Sequence, residues 1–214
     1  MESGNSFYPT RDSSDVNILE ENMNNKIVTY TGKVFDFLDP QPEMVCIEDI
    51  AHALANICRY TGHVRKFYSV AQHCVLMADA YLPGDPLQKL LHDAAEAYVG
   101  DMASPWKQLL RVYESRNCCT KDSGFSIRVN KYEQKIQDII GIALGVNLSY
   151  SAETKEADNR MFFTEVRDLM PPSEEFKNWK GNLAPLDFTI VPWDSDYSET
   201  AFLNSYWGLK TLCE

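Results

Sequence analysis

The chain has 214 residues, 44% of them apolar and 12% aromatic, enough for one domain with a real core, which excludes wholesale disorder. Its formal net charge is −11, from 31 acidic against 20 basic residues; so acidic a surface argues against sequence-independent nucleic-acid binding but leaves room for a small phosphorylated ligand held by a few local cations. Six cysteines without a C-x-x-C pair point to a reducing, cytoplasmic compartment without structural disulfides, and the lack of an N-terminal apolar run or a bilayer-length apolar segment leaves no role for a signal peptide or a membrane.

Residues 1–25, rich in Ser, Asn, Asp and Glu, read as a flexible N-terminal arm, and residues 26–214 as the domain. Lys26–Leu38 alternates apolar and polar positions around Thr31–Gly32, a β-hairpin signal closed by Pro40 and Pro42. Ile47–Cys58 has its apolar residues at helical spacing. The loop Arg59–Phe67 gathers Arg59, His63, Arg65 and Lys66, a local cationic cluster in an acidic chain. Ser69 and Gln72 form a capping box that opens a helix running to about Tyr81, with His73 in its first turn. After Pro83–Gly84, Asp85 caps the next helix with Pro86 at its first position, and this helix runs unbroken to Gly100. Ser104–Pro105 repeats that signature, with Trp106, Leu109, Leu110 and Tyr113 inward.

A polar loop at Asn117–Gly124 contains the vicinal Cys118 and Cys119, read as incidental, whereas Cys58, Cys74 and Cys213 sit on apolar faces as small hydrophobes. A fifth helix, Ile127–Leu144, carries the stripe Tyr132, Ile136, Ile139, Ile140 and Leu144. A sixth, Ser151–Leu169, is stopped by Pro171–Pro172. Asn178–Pro192 is loop-like or extended, and Glu199–Leu212 is a closing helix. The sum is a mostly helical domain with a small β-hairpin.

The chemistry concentrates between Ser69 and Asp101, which holds two of the four histidines, His73 and His92, and the carboxylates Asp93, Glu96 and Asp101. On a continuous helix His92 and Glu96, four apart, and Asp93 and Glu96, three apart, are neighbours. The stripe Leu87, Leu90, Leu91, Ala94 and Ala95 puts His92–Asp93 at the border of the buried face. A short turn brings His73 to the neighbouring helix. Asp158, at the edge of the apolar face with Met161 and Phe162, is the best fourth ligand, since an Asp there needs a partner or a metal. Taken singly, each position is better explained as a packed or solvated side chain. Together, His and Asp groups that converge are the usual ligands of a divalent ion. His52 reads as structural and Trp106 as a core anchor, while His63, Tyr60 and Phe67 divide between ligand contact and ordinary packing.

The order His73, His92-Asp93, Asp158 resembles the H…HD…D signature of the HD-domain metal-dependent phosphohydrolases. IEDIAHALANICRYTGH, FYSVAQH, LLHDAAEAYVGDMASPWK and KEADNRMFFTEVRDLM extend the resemblance to the bacterial and phage members that act on deoxynucleotides, over roughly Ile27–Met170. It does not extend to the arm, to Asn117–Gly124 or to the segment from Pro171. The resemblance implies an all-α HD-domain helical bundle with a small N-terminal β-hairpin. It implies one divalent ion (Zn, Co, Mn or Mg) held by His73, His92, Asp93 and Asp158, with room for a second on substrate binding. It further implies catalytic carboxylates Glu96 and Asp101, phosphate contacts from Arg59 and Lys107, and an acidic position at Glu165 with no assigned role. Tyr60 and His63 complete the expected substrate-binding set.

The expected reaction is dNTP (dATP) triphosphohydrolysis to deoxynucleoside and tripolyphosphate, helped by the extra cations Arg65, Lys66 and Arg111. The alternative is a 5′-deoxynucleotidase acting on dNMPs. Cyclic-nucleotide or alarmone hydrolysis and a non-catalytic nucleotide-binding role rank below both. The expected partner is a small-molecule deoxynucleotide, not nucleic acid or membrane. The resemblance also implies a homo-oligomer, dimer or hexamer, and a cytoplasmic location, the host's if the chain is phage-encoded.

Overall fold

A computed structural model describes residues 25–79, 82–109, 125–149, 151–178 and 183–212. The N-terminal arm up to residue 24, Tyr81, Leu110, Arg111, Tyr113, the loop at 117–124 and Cys213 lie outside the described residues.

The hairpin forms where the alternation placed it. Strands β1 (Lys26–Val28) and β2 (Val34–Asp36) pair antiparallel with Ile27 opposite Phe35. Gly32 takes the turn at φ +86°, a conformation that costs glycine nothing. Phe35 is fully buried. Asp49, on the following helix, accepts from Thr29 Oγ1 at 2.8 Å, Thr31 N at 2.6 Å and Thr31 Oγ1 at 2.9 Å, which fastens the hairpin to the domain.

Helix α1 (Ile47–Asn56) buries Ile47, Ile50, Ala51, Leu54 and Ala55. Helix α2 (Val70–Asp79) is buried from Val70 to Ala78 except at Leu76, as a helix apolar on all sides should be. Only half of its expected capping box forms. Ser69 Oγ accepts from Gln72 N at 3.0 Å, but the Gln72 side chain donates to Val191 O and accepts from Trp193 N instead of returning to the cap. That glutamine ties the C-terminal extended segment to α2.

The expected continuous helix from Pro86 to Gly100 is two: α3 (Pro86–Leu91), capped by Asp85 as anticipated, and α4 (Glu96–Val99). Between them the bonds tighten to the i→i+3 pattern, Ala94 N to Leu91 O at 3.1 Å and Glu96 N to Asp93 O at 2.9 Å. Gln137 fills the gap: its Oε1 accepts from Ala95 N at 3.0 Å while its Nε2 donates to Leu91 O at 2.6 Å. Residues 104–109 are helical, but Trp106 and Leu109 face solvent, 52% and 54% exposed, rather than inward.

Helix α5 (Phe125–Leu144) buries Ile136 and Ile140 fully. Helix α6 (Ala152–Leu169) is capped by Ser151 through Thr154 N and buries Met161 and Leu169. Helix α7 (Ser195–Thr211) begins earlier than its apolar pattern suggested, because Asp194 caps it through Tyr197 N at 2.8 Å.

Helix α2 packs against α1, α3, α6 and α7. The main core contains Phe35, Leu54, Cys74, Leu91, Ile140 and Phe202, and a second cluster under α6 contains Tyr68, Met77, Met161 and Ile190. The chain is thus mostly helical with a small N-terminal hairpin. Among the described residues, no helix is long and apolar enough to cross a membrane.

Candidate metal centre

The central position of α2 puts His73 at the junction of the two apolar clusters with no exposed surface. Its Nδ1 lies 2.6 Å from Glu165 Oε1 on α6. A carboxylate can only accept, so the proton sits on Nδ1 and the lone pair on Nε2. His92 is fixed the same way: its Nδ1 donates to Lys89 O at 2.8 Å, which turns Nε2 toward Asp93 as the atom that would coordinate an ion.

The two Nε2 atoms are 3.3 Å apart. Asp93 Oδ2 lies 3.0 Å from His92 Nε2 and 3.8 Å from His73 Nε2, and Asp158 Oδ1 lies 3.5 Å from His73 Nε2. Four expected ligands, from α2, the 92–95 turn and α6, therefore converge. Among the described residues, His73, His92 and Asp93 could hold a metal ion, each with one ligand atom within 4.8 Å of the others'.

Two imidazole lone pairs and two carboxylates this close repel one another unless a cation sits among them. A proton is one such cation. Burial alone would lower the His92 pKa, but the adjacent Asp93 carboxylate outweighs it and holds His92 well above its usual value. Burial likewise opposes ionisation of Asp93 and Asp158, yet the histidines keep both below the ordinary carboxylate range. A divalent ion satisfies the same four groups with more charge, and the donor set of two imidazoles and two carboxylates fits it.

Glu165 organises what surrounds the cluster. It is fully buried and accepts from His73 Nδ1, Tyr68 Oη at 2.9 Å, the Tyr60 hydroxyl and Arg59 Nη2 at 3.4 Å. Burial works against its charge, but Arg59 and His73 hold its pKa below the usual range. Arg59 also reaches Asp93 Oδ2 at 3.4 Å. The backbone pays locally for this arrangement. Tyr60, Thr61 and Gly62 take left-handed conformations in succession, φ 58°, 54° and 80°, a strain the surrounding bonds must hold, since each non-glycine costs about 1–2 kcal/mol.

Two cavities open beside the cluster. The larger, about 720 Å³, is lined by Arg59, Tyr60, Asp101, Asp158, Phe162 and Phe163, among others. The smaller, about 170 Å³, is lined by His92, Asp93, Glu96, Lys107, Glu133 and Gln137, among others. Burial first, then the charges of Asp93 and Asp101, pushes the Glu96 carboxyl well above its usual range, and its Oε2 has no partner among the described residues. Lys107 Nζ pairs with Glu133 at 3.0 Å.

The expected site residues therefore divide. His73, His92, Asp93, Asp158 and Arg59 meet; Glu96 and Lys107 line one adjoining cavity, Asp101 and Tyr60 the other. His63 is exposed and makes no side-chain contact with the cluster among those described. Arg65 donates to Asp168 O at 2.7 Å and Leu169 O at 3.4 Å, closing the C-terminus of α6, and lines a separate cavity with Lys66. His52 is structural, stacked on Tyr30 and bonded to Glu199. Sequence reasoning left Glu165 without a role and passed over Tyr68 and Gln137. A glutamate between Met161, Val166 and Leu169 on an apolar stripe was the available signal for the first.

Over 189 aligned residues, 87% of this chain and 96% of the relative, the sequence is 33% identical to the uncharacterised protein YfdR of Escherichia coli K12. Over 86 residues, 36% of this chain and 44% of the relative, it is 41% identical to an uncharacterised protein of Rhodobacter capsulatus. No family model matches the chain. With a third of the aligned residues identical along nearly the whole length of that relative, the chain belongs to the family of Escherichia coli YfdR.

Proposed function

We propose that the chain is a metal-dependent phosphohydrolase of deoxynucleotides built on an HD-domain fold. One observation carries this reading: His73 Nε2, His92 Nε2, Asp93 Oδ2 and Asp158 Oδ1 converge beside a cavity of about 720 Å³ that also exposes a guanidinium. The order and spacing of those residues match the H…HD…D signature.

A divalent ion held by these four side chains would polarise a phosphoryl oxygen and lower the pKa of a bound water. Arg59, braced by Asp93 and Glu165, presents a planar fork to phosphate oxygens, with its Nε unpartnered among the described residues. Lys107 adds a point charge on the side of the smaller cavity. Glu96 orients the attacking water through its unpartnered Oε2. Water adds at phosphorus and releases a proton to solvent, the P–O5′ bond breaks with its electron pair going to the 5′-oxygen, and Asp101 relays a proton from solvent to that oxygen. Tyr60, Phe162 and Phe163 supply an apolar wall for sugar and base.

The leading substrate is a dNTP, cleaved to deoxynucleoside and tripolyphosphate. A specific observation favours the second reading, a 5′-deoxynucleotidase. Arg65, expected to hold a longer phosphate tail, is engaged on α6 carbonyls away from the cluster. Among the described residues, the cations lining the two adjoining cavities are Arg59 and Lys107. Incubating the purified protein with each dNTP and dNMP in Mn, Co, Zn or Mg, followed by chromatography, tests both. Deoxynucleoside with tripolyphosphate supports the first, deoxynucleoside from dNMPs alone the second, and no turnover of either class overturns the proposal.

A further inference from the structure

The helix that should carry His92 and Asp93 is interrupted at those two residues, and the interruption has an identifiable agent. In an unbroken helix Ala95 N–H would donate to Leu91 C=O across one turn. Here the Gln137 amide occupies that bond. Its Oε1 accepts from Ala95 N at 3.0 Å, the group the break would orphan, and its Nε2 donates at 2.6 Å to Leu91 O, which also accepts from Ala94 N at 3.1 Å. Gln137 is buried, with 7% of its surface exposed. An unpaired backbone group there would cost the full desolvation penalty, so the amide makes the open turn affordable where an apolar side chain would not.

The residues enclosed between the two bonded positions are His92, Asp93 and Ala94. Within that turn His92 Nδ1 bonds back to Lys89 O, and Asp93 O accepts from Glu96 N. Both ligand-bearing residues and the Glu96 carboxyl thus hang on a turn whose shape is set from a third element, α5. One turn before Gln137, Glu133 holds Lys107, so the same face of α5 braces the metal-binding turn and the nearby cation. Gln137 itself touches neither ligand side chain in any bond described here; it acts through backbone.

We infer that Gln137 is a positioning residue of the metal centre: its amide wedges the 91–95 turn open and so sets the angle at which His92 and Asp93 meet His73 and Asp158. This rests on the metal centre proposed above. Gln137→Met keeps the length of the side chain and removes both bonds, allowing Ala95 N–H to close on Leu91 C=O and the helix to run through. Displacing ligands in this way weakens metal binding by the 10–100-fold typical of lost supporting contacts.

The test is a Co2+ titration of the full chain, read by visible absorption, with circular dichroism and thermal melting on the same samples. Gln137→Met should remain folded, bind Co2+ at least about tenfold more weakly and show altered ligand-field bands. If Gln137→Met does not fold, Gln137→Glu, which keeps the acceptor for Ala95 N–H and loses the donor to Leu91 C=O, carries the same prediction. A folded variant with wild-type affinity and spectrum overturns the role of Gln137. A wild-type chain that takes up no Co2+ overturns the metal centre, and the inference with it.

Discussion

Glu165→Gln is the substitution that most directly probes how the candidate centre is held together. Glutamine keeps the size of the side chain, so the packing around α6 is preserved; its one carbonyl oxygen can still accept from the Tyr68 hydroxyl, while the Tyr60 hydroxyl, which bonds the other oxygen, must turn to accept from the new amide. It removes the charge that pairs with Arg59, whose side chain is 12% exposed, and that receives the His73 Nδ1 proton. Leaving a buried charge without its partner costs about 3–5 kcal/mol. Arg59 retains Asp93 at 3.4 Å, which puts the expected loss near the lower end, about 3 kcal/mol. For a domain of this size that is a fall in melting temperature of about 6–12 °C. Without a carboxylate at Nδ1, His73 also becomes a weaker and less oriented ligand, and metal affinity should fall by about 10–100-fold. Thermal and urea denaturation of the metal-free protein at neutral pH, with calorimetric Mn2+ titration, measures both effects. A variant that melts within about 2 °C of the parent and binds Mn2+ equally well would refute the reasoning.

Other predictions follow from single contacts. Because Asp93 holds the His92 pKa high in the absence of metal, an ion must displace that proton; affinity for Mn2+ should rise with pH and binding should release protons, which calorimetry in buffers of different ionisation enthalpy detects. The depressed Glu165 pKa makes its contribution to stability full above the ordinary glutamate range and progressively lost as pH falls through and below that range, and Glu165→Gln should flatten this part of the acid-denaturation profile. Asp49→Ala removes three bonds to Thr29 and Thr31 and should cost about 2–3 kcal/mol, with loss of amide-exchange protection confined first to the hairpin. Thr61→Gly relieves a β-branched residue at φ 54° and should raise stability by about 1 kcal/mol; an unchanged or lower melting temperature would mean the loop is not strained there.

The local signals that proved legible are those written in short spacing. Asp85–Pro86 caps α3, Ser151 marks the start of α6, Thr31–Gly32 turns the hairpin, and His73, His92 and Asp93 come together; Asp158, distant in the chain, was legible from its place at the edge of an apolar helix face. What stayed hidden depends on partners far away in the chain. Periodicity reads Pro86 to Gly100 as one helix because Leu87, Leu90, Leu91, Ala94 and Ala95 keep helical spacing, and nothing local announces that Gln137 will open it. Gln72 has the right spacing for a capping box, yet Val191 and Trp193 outcompete the cap for its amide. Trp106 reads as a core anchor from its helical spacing with Leu109, and is half exposed. Arg65 stood in a cationic loop as a phosphate ligand, and the carbonyls at the end of α6 claim it.

The measurement that bears most directly on the metal centre is a crystal structure of the protein grown with Zn2+, with anomalous scattering recorded at the zinc edge. One strong peak is expected about 2.0–2.2 Å from His73 Nε2, His92 Nε2, Asp93 Oδ2 and Asp158 Oδ1, and it should be lost in Asp93→Ala. A peak bound by other residues, or none between α2, the 92–95 turn and α6, would contradict the proposed metal centre.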